Sequence, residues 1–110
     1  MSWSITFDIY GTHFRPETLD QKIKDKLSKI EIGFAQYKSS NSQNPESAII
    51  EIHNVFYPLI SELKNAGAEE WHVNIGRFYK NQCNEEFSLE TMKKLVDLKC
   101  GFIYSAYEDD

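Results

Sequence analysis

The sequence has few cysteines and no long apolar run, and both absences restrict what the protein can be. Its 110 residues include only two cysteines, Cys83 and Cys100, which are too few for the disulfide framework of a small secreted domain. No stretch approaches the roughly 20 apolar residues of a membrane-spanning helix. Met1–Asp8 contains neither a basic segment nor a long apolar one, so no signal peptide is predicted. We therefore expect a cytoplasmic protein that does not associate with membranes.

Basic residues are also scarce. The chain has 12 lysines and arginines against 17 aspartates and glutamates, and its formal net charge is −5. Most of the excess lies between residues 40 and 92, where eight acidic side chains outnumber three basic ones. A protein that binds nucleic acid directly is expected to present a basic surface. The charge therefore argues against direct nucleic-acid binding.

The signatures of common catalytic and metal sites are missing as well. His13, His53 and His72 are 40 and 19 residues apart, whereas zinc ligands usually come in closely spaced pairs. Their convergence in the folded chain stays open as the alternative. Cys83 lies near two glutamates that would raise the pKa of its thiol. Cys100 is expected to be a buried residue that only contributes to packing. With no glycine-rich phosphate loop and no Gly-x-Ser-x-Gly elbow, we expect no metal, no cofactor and no enzymatic activity.

What the chain does contain is an alternation of strand-like and helix-like patterns. Strands are predicted where apolar residues recur with a period of two, over Trp3–Tyr10, Ile30–Tyr37, Trp71–Tyr79 and Phe102–Tyr107. Apolar residues that recur every four positions predict an amphipathic helix through Leu19, Ile23 and Leu27, with Pro16 in its first turn.

Two further helical regions are predicted in the second half of the chain. A broad apolar stripe over residues 48–63 is interrupted by Pro58, which predicts two short helices meeting near Tyr57. A strand over Ile49–Ile52 is the alternative. The last helix is predicted to begin after Ser88, with Phe87 packed against its first turn as a hydrophobic staple.

These patterns predict a single α+β domain over residues 1–110. It is expected to have two layers, with about four strands and with three or four helices packed mainly on one face of the sheet. Apolar and polar residues alternate along the strands, which are therefore not uniformly apolar. The sheet face away from the helices is thus expected to be more open.

Several segments carry a family resemblance. They are the helical stretch Ile52–Leu63 with Pro58, the strand Trp71–Tyr79, the segment Phe87–Leu95, the final Phe102–Tyr104, and the opening Ile5–Gly11 followed by Pro16 and Glu17. In these segments the chain resembles a bacterial family designated domain of unknown function 4279. The resemblance implies no catalytic residues.

A small, acidic, single-domain protein without catalytic signatures also looks like the immunity proteins of bacterial toxin systems. Such proteins bind a toxin domain and block it, and toxin nucleases tend to be basic. We therefore predict an immunity protein of a contact-dependent inhibition or polymorphic toxin system, with a basic nuclease domain as its expected partner. The alternative is a small protein-binding or regulatory module. Acidic residues and one tyrosine are predicted to bind the partner: Glu69, Glu70, Glu85, Glu86, Tyr107, Glu108, Asp109 and Asp110.

Overall fold

Five strands form one mixed sheet within the residues that the computed structural model describes, which are 2–41, 44–79 and 87–108. The strands are β1 (Ser2–Tyr10), β2 (Lys29–Glu31), β3 (Phe34–Lys38), β4 (Glu70–Tyr79) and β5 (Gly101–Glu108). They lie in the order β2-β3-β1-β4-β5, so the first strand of the chain is at the centre. Neighbouring strands are antiparallel except β4 and β5, which are parallel.

Helices connect the strands. They are α1 (Gln21–Lys24), α2 (Pro45–Phe56), α3 (Ile60–Asn65) and α4 (Leu89–Asp97), with short 3-10 turns at Pro16–Thr18 and Tyr57–Leu59. Asn44 caps α2 and Ser88 caps α4, because each side chain accepts a hydrogen bond from the backbone of the first turn. In the part of the chain that the structure describes, no helix is long and apolar enough to cross a membrane.

The helices cover one face of the sheet. The alternation of β1 places Ile5, Phe7 and Ile9 on the covered face, where each is at most 2% exposed. Phe56 of α2 packs onto this face, and its ring centroid lies 4.6 Å from that of Phe7. Leu95 of α4 joins the same core. The predicted α+β domain with its helices on one face of the sheet is confirmed.

The prediction of a single strand over residues 30–37 is wrong, because this segment forms two strands. β2 ends at Glu31 and β3 begins at Phe34, and the two are joined by a turn at Ile32 and Gly33. Gly33 has a φ of +71°, in the left-handed region that glycine adopts readily. The turn exposes Ile32 completely, although the apolar alternation predicted it within a strand. The described residues therefore contain five strands and not about four.

The helix predicted through residues 19–27 is shorter than expected. Asp20 caps α1 by accepting a hydrogen bond from the backbone of Lys22, but the helix ends at Lys24. Shortly after it, the Ser28 N–H donates to the Gln36 carbonyl at 2.7 Å, which is already sheet pairing. Entry into the sheet thus ends the helix before the apolar period runs out.

The predicted break in the long apolar stripe is confirmed. α2 ends at Phe56 and α3 begins at Ile60, with Pro58 in the 3-10 turn between them. The alternative of a strand over Ile49–Ile52 is wrong, because these residues lie within α2.

The last helix begins after Ser88, as predicted, and is attached to the sheet by Phe87. The Phe87 ring packs edge-on against Phe102 and Tyr104 of β5, with centroid separations of 5.5 and 6.4 Å. Its staple contact with the first turn of α4 stays a prediction.

Candidate partner-binding surface

The residues predicted to bind a partner do not form one surface. Glu69 and Glu70 lie where β4 begins, whereas Tyr107 and Glu108 lie where β5 ends. Because β4 and β5 are parallel, with Tyr79 opposite Glu108, the two groups are at opposite ends of the sheet. At a strand rise of about 3.3 Å per residue, the length of β4 separates them by roughly 30 Å. The remaining predicted residues lie outside the described residues: Glu85, Glu86, Asp109 and Asp110.

Glu69 and Glu70 border a hollow at the end of the sheet where β1 meets the turn between β2 and β3. The hollow has a volume of about 580 Å³. Its lining includes no lysine or arginine and consists of Tyr10, Gly11, Thr12, Ile32, Gly33, Glu69 and Glu70. We call these residues the acidic hollow. The Thr12 N–H donates to Glu69 Oε1 at 3.0 Å and so orients that carboxylate, while Ile32 projects fully into solvent beside it.

A buried carboxylate extends the negative charge from the acidic hollow onto the open face of the sheet. Asp8 in β1 is only 5% exposed and accepts hydrogen bonds from the side-chain amides of Gln36, at 3.0 Å, and Asn74. Partial burial, followed by the charges of Asp8 and Glu70, raises the pKa of Tyr10. No sequence signal distinguishes Asp8, because it occupies an ordinary polar position in the alternation of β1.

A second hollow adjoins the first on the side of β5, and its charges are mixed. It has a volume of about 390 Å³ and shares Glu69 and Glu70 with the acidic hollow, but Lys64 and Lys99 also line it. Both lysines lie on the side of β5. The side that faces Ile32 has no lysine or arginine among the described residues that line it.

At the other end of the sheet, Tyr107 belongs to a surface of different chemistry. Its ring stacks on Phe78 with centroids 5.4 Å apart, and the two side chains are 53% and 39% exposed. Beside them lies a hollow of about 330 Å³ that is lined by Ser4, Thr6, Asn74, Ile75, Gly76, Phe78, Ser105 and Tyr107. We call this the aromatic groove. None of the described residues that line it is charged, and the length of β4 separates Tyr107 from Glu69 and Glu70, with which it was predicted to act.

The histidines and the described cysteine occupy separate structural positions. His13 is exposed in a turn, His72 lies in β4, and His53 of α2 has its Nε2 3.4 Å from Asp97 Oδ2 of α4. Burial raises the pKa of the Cys100 thiol to about 12, which leaves almost no thiolate at neutral pH. Among the described residues, no three histidines, cysteines or carboxylates are grouped as a metal site requires.

Comparisons with known proteins give no relative for this chain. Protein-family models, curated proteins and solved structures were searched, and none of them matches. The resemblance to the family of unknown function stays a prediction.

Proposed function

We propose that the protein is an immunity protein that binds and neutralises a basic toxin domain, with a nuclease as the expected target. The observation that carries the proposal is the acidic hollow beside Ile32, where two carboxylates and a fully exposed apolar side chain share one surface without a lysine or arginine in the lining. Such a combination suits a basic protein partner.

The two kinds of side chain have different tasks in this proposal. Glu69 and Glu70 attract the basic partner and select its orientation, which affects mainly the rate of association. Ile32 serves as the apolar anchor, because a few desolvated side chains supply most of the affinity of an interface. Burial of one isoleucine side chain contributes roughly 1.5–3 kcal/mol, so truncation of Ile32 should act mainly on the dissociation rate.

The aromatic groove favours the alternative of a binding module with a different partner. Phe78 and Tyr107 form an exposed aromatic pair above small and polar residues, and no carboxylate is among the described residues that line the groove. This surface suits an uncharged polypeptide better than a basic one. The alternative therefore predicts that substitutions at Tyr107 impair function and that substitutions at Glu70 do not.

The test is co-expression of the protein with the toxic domain encoded next to it, with survival and complex formation as readouts. Glu70→Lys should slow association several-fold and weaken its dependence on salt, and Ile32→Ser should speed dissociation. Glu90→Lys is the matched control, because Glu90 is exposed in the first turn of α4, at the other end of the sheet. If cells die as fast with the protein as without it, and no complex forms in a pull-down, the proposal is wrong.

A further inference from the structure

The two sides of the acidic hollow belong to segments that are far apart in the chain. On one side lies the turn of Ile32 and Gly33 between β2 and β3. On the other side lie Glu69 and Glu70, where β4 begins. The two segments do not pair with each other, because β1 lies between β3 and β4 in the sheet. The position of Ile32 relative to Glu69 therefore depends on the residues that follow β1.

Two consecutive residues after β1 bind the two sides of the hollow. The Gly11 N–H donates to the Gly33 carbonyl at 3.2 Å, on the side of Ile32. The Thr12 N–H donates to Glu69 Oε1 at 3.0 Å, on the side of β4. The backbone of Glu69 is held as well, since its N–H donates to the carbonyl of the last residue of β1 at 2.8 Å. Hydrogen bonds therefore connect the end of β1 to both sides.

The backbone at Gly11 is also in close contact with the segment that leads to Glu69. A Cβ atom on Gly11 would lie 2.5 Å from the Gly67 carbonyl oxygen and 3.1 Å from the Glu69 nitrogen. Both of these are backbone atoms, so rotation of a side chain could not relieve the contact. Only glycine allows the two segments to approach this closely. Alanine at this position would therefore push the segment of Glu69 away from β1.

We propose that Gly11 is a positioning residue for partner binding, which holds Ile32 and Glu69 in their binding arrangement before the partner arrives. This inference rests on the proposed function, in which Ile32 is the apolar anchor and Glu69 is one of the attracting carboxylates. A surface whose groups are already in place loses less conformational entropy on binding, and its affinity is higher for that reason. The contribution of Gly11 is therefore made through the two side chains that it positions.

Gly76 of β4 offers a matched comparison for the free protein. A Cβ atom there would lie 3.8 Å from the nearest atom, the Ser4 carbonyl oxygen, which is an ordinary van der Waals distance. Gly76 is also six residues along β4 from Glu70 and so away from the acidic hollow. Gly76→Ala therefore introduces the same methyl group as Gly11→Ala without the close backbone contact.

Amide hydrogen exchange in the free protein, followed by NMR, tests the positioning without any partner. The Thr12 N–H should exchange about tenfold or more slowly than in an unstructured peptide, because it is bonded to Glu69. Gly11→Ala should remove this protection, and Gly76→Ala should keep it. Glu69→Gln should also keep it, since the glutamine side-chain oxygen still accepts the bond, whereas Glu69→Ala should remove it.

A second amide shows whether each variant is folded. Phe7 lies in the central strand and is paired with Tyr37 of β3 and Val73 of β4. The Phe7 N–H should stay protected by more than about a hundredfold in every variant, because it exchanges only when the sheet opens. Loss of protection at Thr12 with protection kept at Phe7 shows a change confined to the hollow. A variant that had lost its fold would expose both amides.

The second measurement is binding of the toxic domain encoded next to this chain. Gly11→Ala should raise the dissociation constant about tenfold, because the displaced groups must be ordered on binding. The same substitution should have a smaller effect in an Ile32→Ser background, since one of the side chains that Gly11 positions is then already missing. A purely structural role of Gly11 would give equal effects in both backgrounds.

The proposal is overturned if the Thr12 N–H of the unmodified protein exchanges as fast as in a peptide, or if Gly11→Ala binds the toxic domain as tightly as the unmodified protein. If Gly11→Ala does not fold, equal exchange at Thr12 in Glu69→Gln and Glu69→Ala overturns it instead. If the unmodified protein forms no complex, the proposed function is wrong, and the exchange pattern still decides whether Gly11 fixes the acidic hollow.

Discussion

Replacement of Tyr37 by phenylalanine removes one hydrogen bond from the junction between β3 and α2. The Glu51 carboxylate of α2 accepts hydrogen bonds from the Tyr37 hydroxyl, from Ser39 Oγ at 3.2 Å, and from the Oγ and N–H of Ser40 at 3.0 and 3.3 Å. A hydrogen bond to a charged group contributes about 1.5–3 kcal/mol. Since the group is only half-buried and Glu51 keeps its serine donors, we expect Tyr37→Phe to cost about 1–2 kcal/mol. In a domain of this size that lowers Tm by roughly 4–16 °C.

The dependence of this contribution on pH follows from the two titrating groups. Partial burial and the hydrogen bond to Glu51 raise the pKa of Tyr37 to about 12, so its contribution is complete below pH 10 and is lost as the pH rises to about 12. Burial opposes ionisation of Glu51, but the donated hydrogen bonds outweigh it and lower its pKa below 4.5. The contribution of Glu51 is therefore present above pH 4.5 and is lost as the pH falls through its lowered pKa.

Urea unfolding followed by tryptophan fluorescence measures the effect. The difference in unfolding free energy between the unmodified protein and Tyr37→Phe should be constant from about pH 5 to 10 and should shrink on both sides of that range. Tyr57→Phe is the matched control, because Tyr57 is 54% exposed, and it should change stability by less than about 0.5 kcal/mol. A double-mutant cycle with Glu51→Gln should give a coupling free energy above about 0.5 kcal/mol. A coupling of zero, or equal effects of Tyr37→Phe and Tyr57→Phe, would refute the reasoning.

Three further predictions concern single residues. Pro58→Ala should change stability by less than about 1 kcal/mol, because Pro58 already lies in a turn between two helices; a Tm higher by many degrees would contradict this. Trp71→Phe should cost about 1–3 kcal/mol in urea unfolding, because it removes the buried 2.7 Å hydrogen bond from Trp71 Nε1 to the Leu98 carbonyl; unchanged stability would count against that bond. In a Cys83→Ser background, Cys100 should react with a thiol reagent at pH 8 far more slowly in the folded protein than in the unfolded one. The reason is that burial raises the pKa of the Cys100 thiol to about 12. Equal reaction rates would show an accessible thiol.

The sequence by itself determined the features that depend on neighbours a few positions away. The period of two in β1 predicted its buried face, and Ser88 predicted the start of α4 through its capping side chain. Pro58 predicted the break between α2 and α3 because proline removes a helical hydrogen bond. These signals are local, so the order of the elements and the α+β class could be predicted from them.

The tertiary structure decided where those elements turn and end. The apolar alternation runs through Ile30, Ile32 and Phe34 without interruption, and the turn at Gly33 became visible only in the pairing of β2 with β3. Likewise, α1 ends early because Ser28 is drawn into sheet pairing. In both places, backbone hydrogen bonds between strands decide where an element ends, and the local apolar pattern does not.

The candidate surface depended even more on tertiary structure. The sequence predicted that Glu70 and Tyr107 act together, since both lie at strand ends, but the parallel pairing of β4 with β5 puts them at opposite ends of the sheet. The same strand order places Ile32 beside Glu69 and leaves β5 at an edge. The direction and neighbours of a strand are set by pairings between residues far apart in the chain, such as Thr6 with Asn74. No local sequence pattern predicts these pairings.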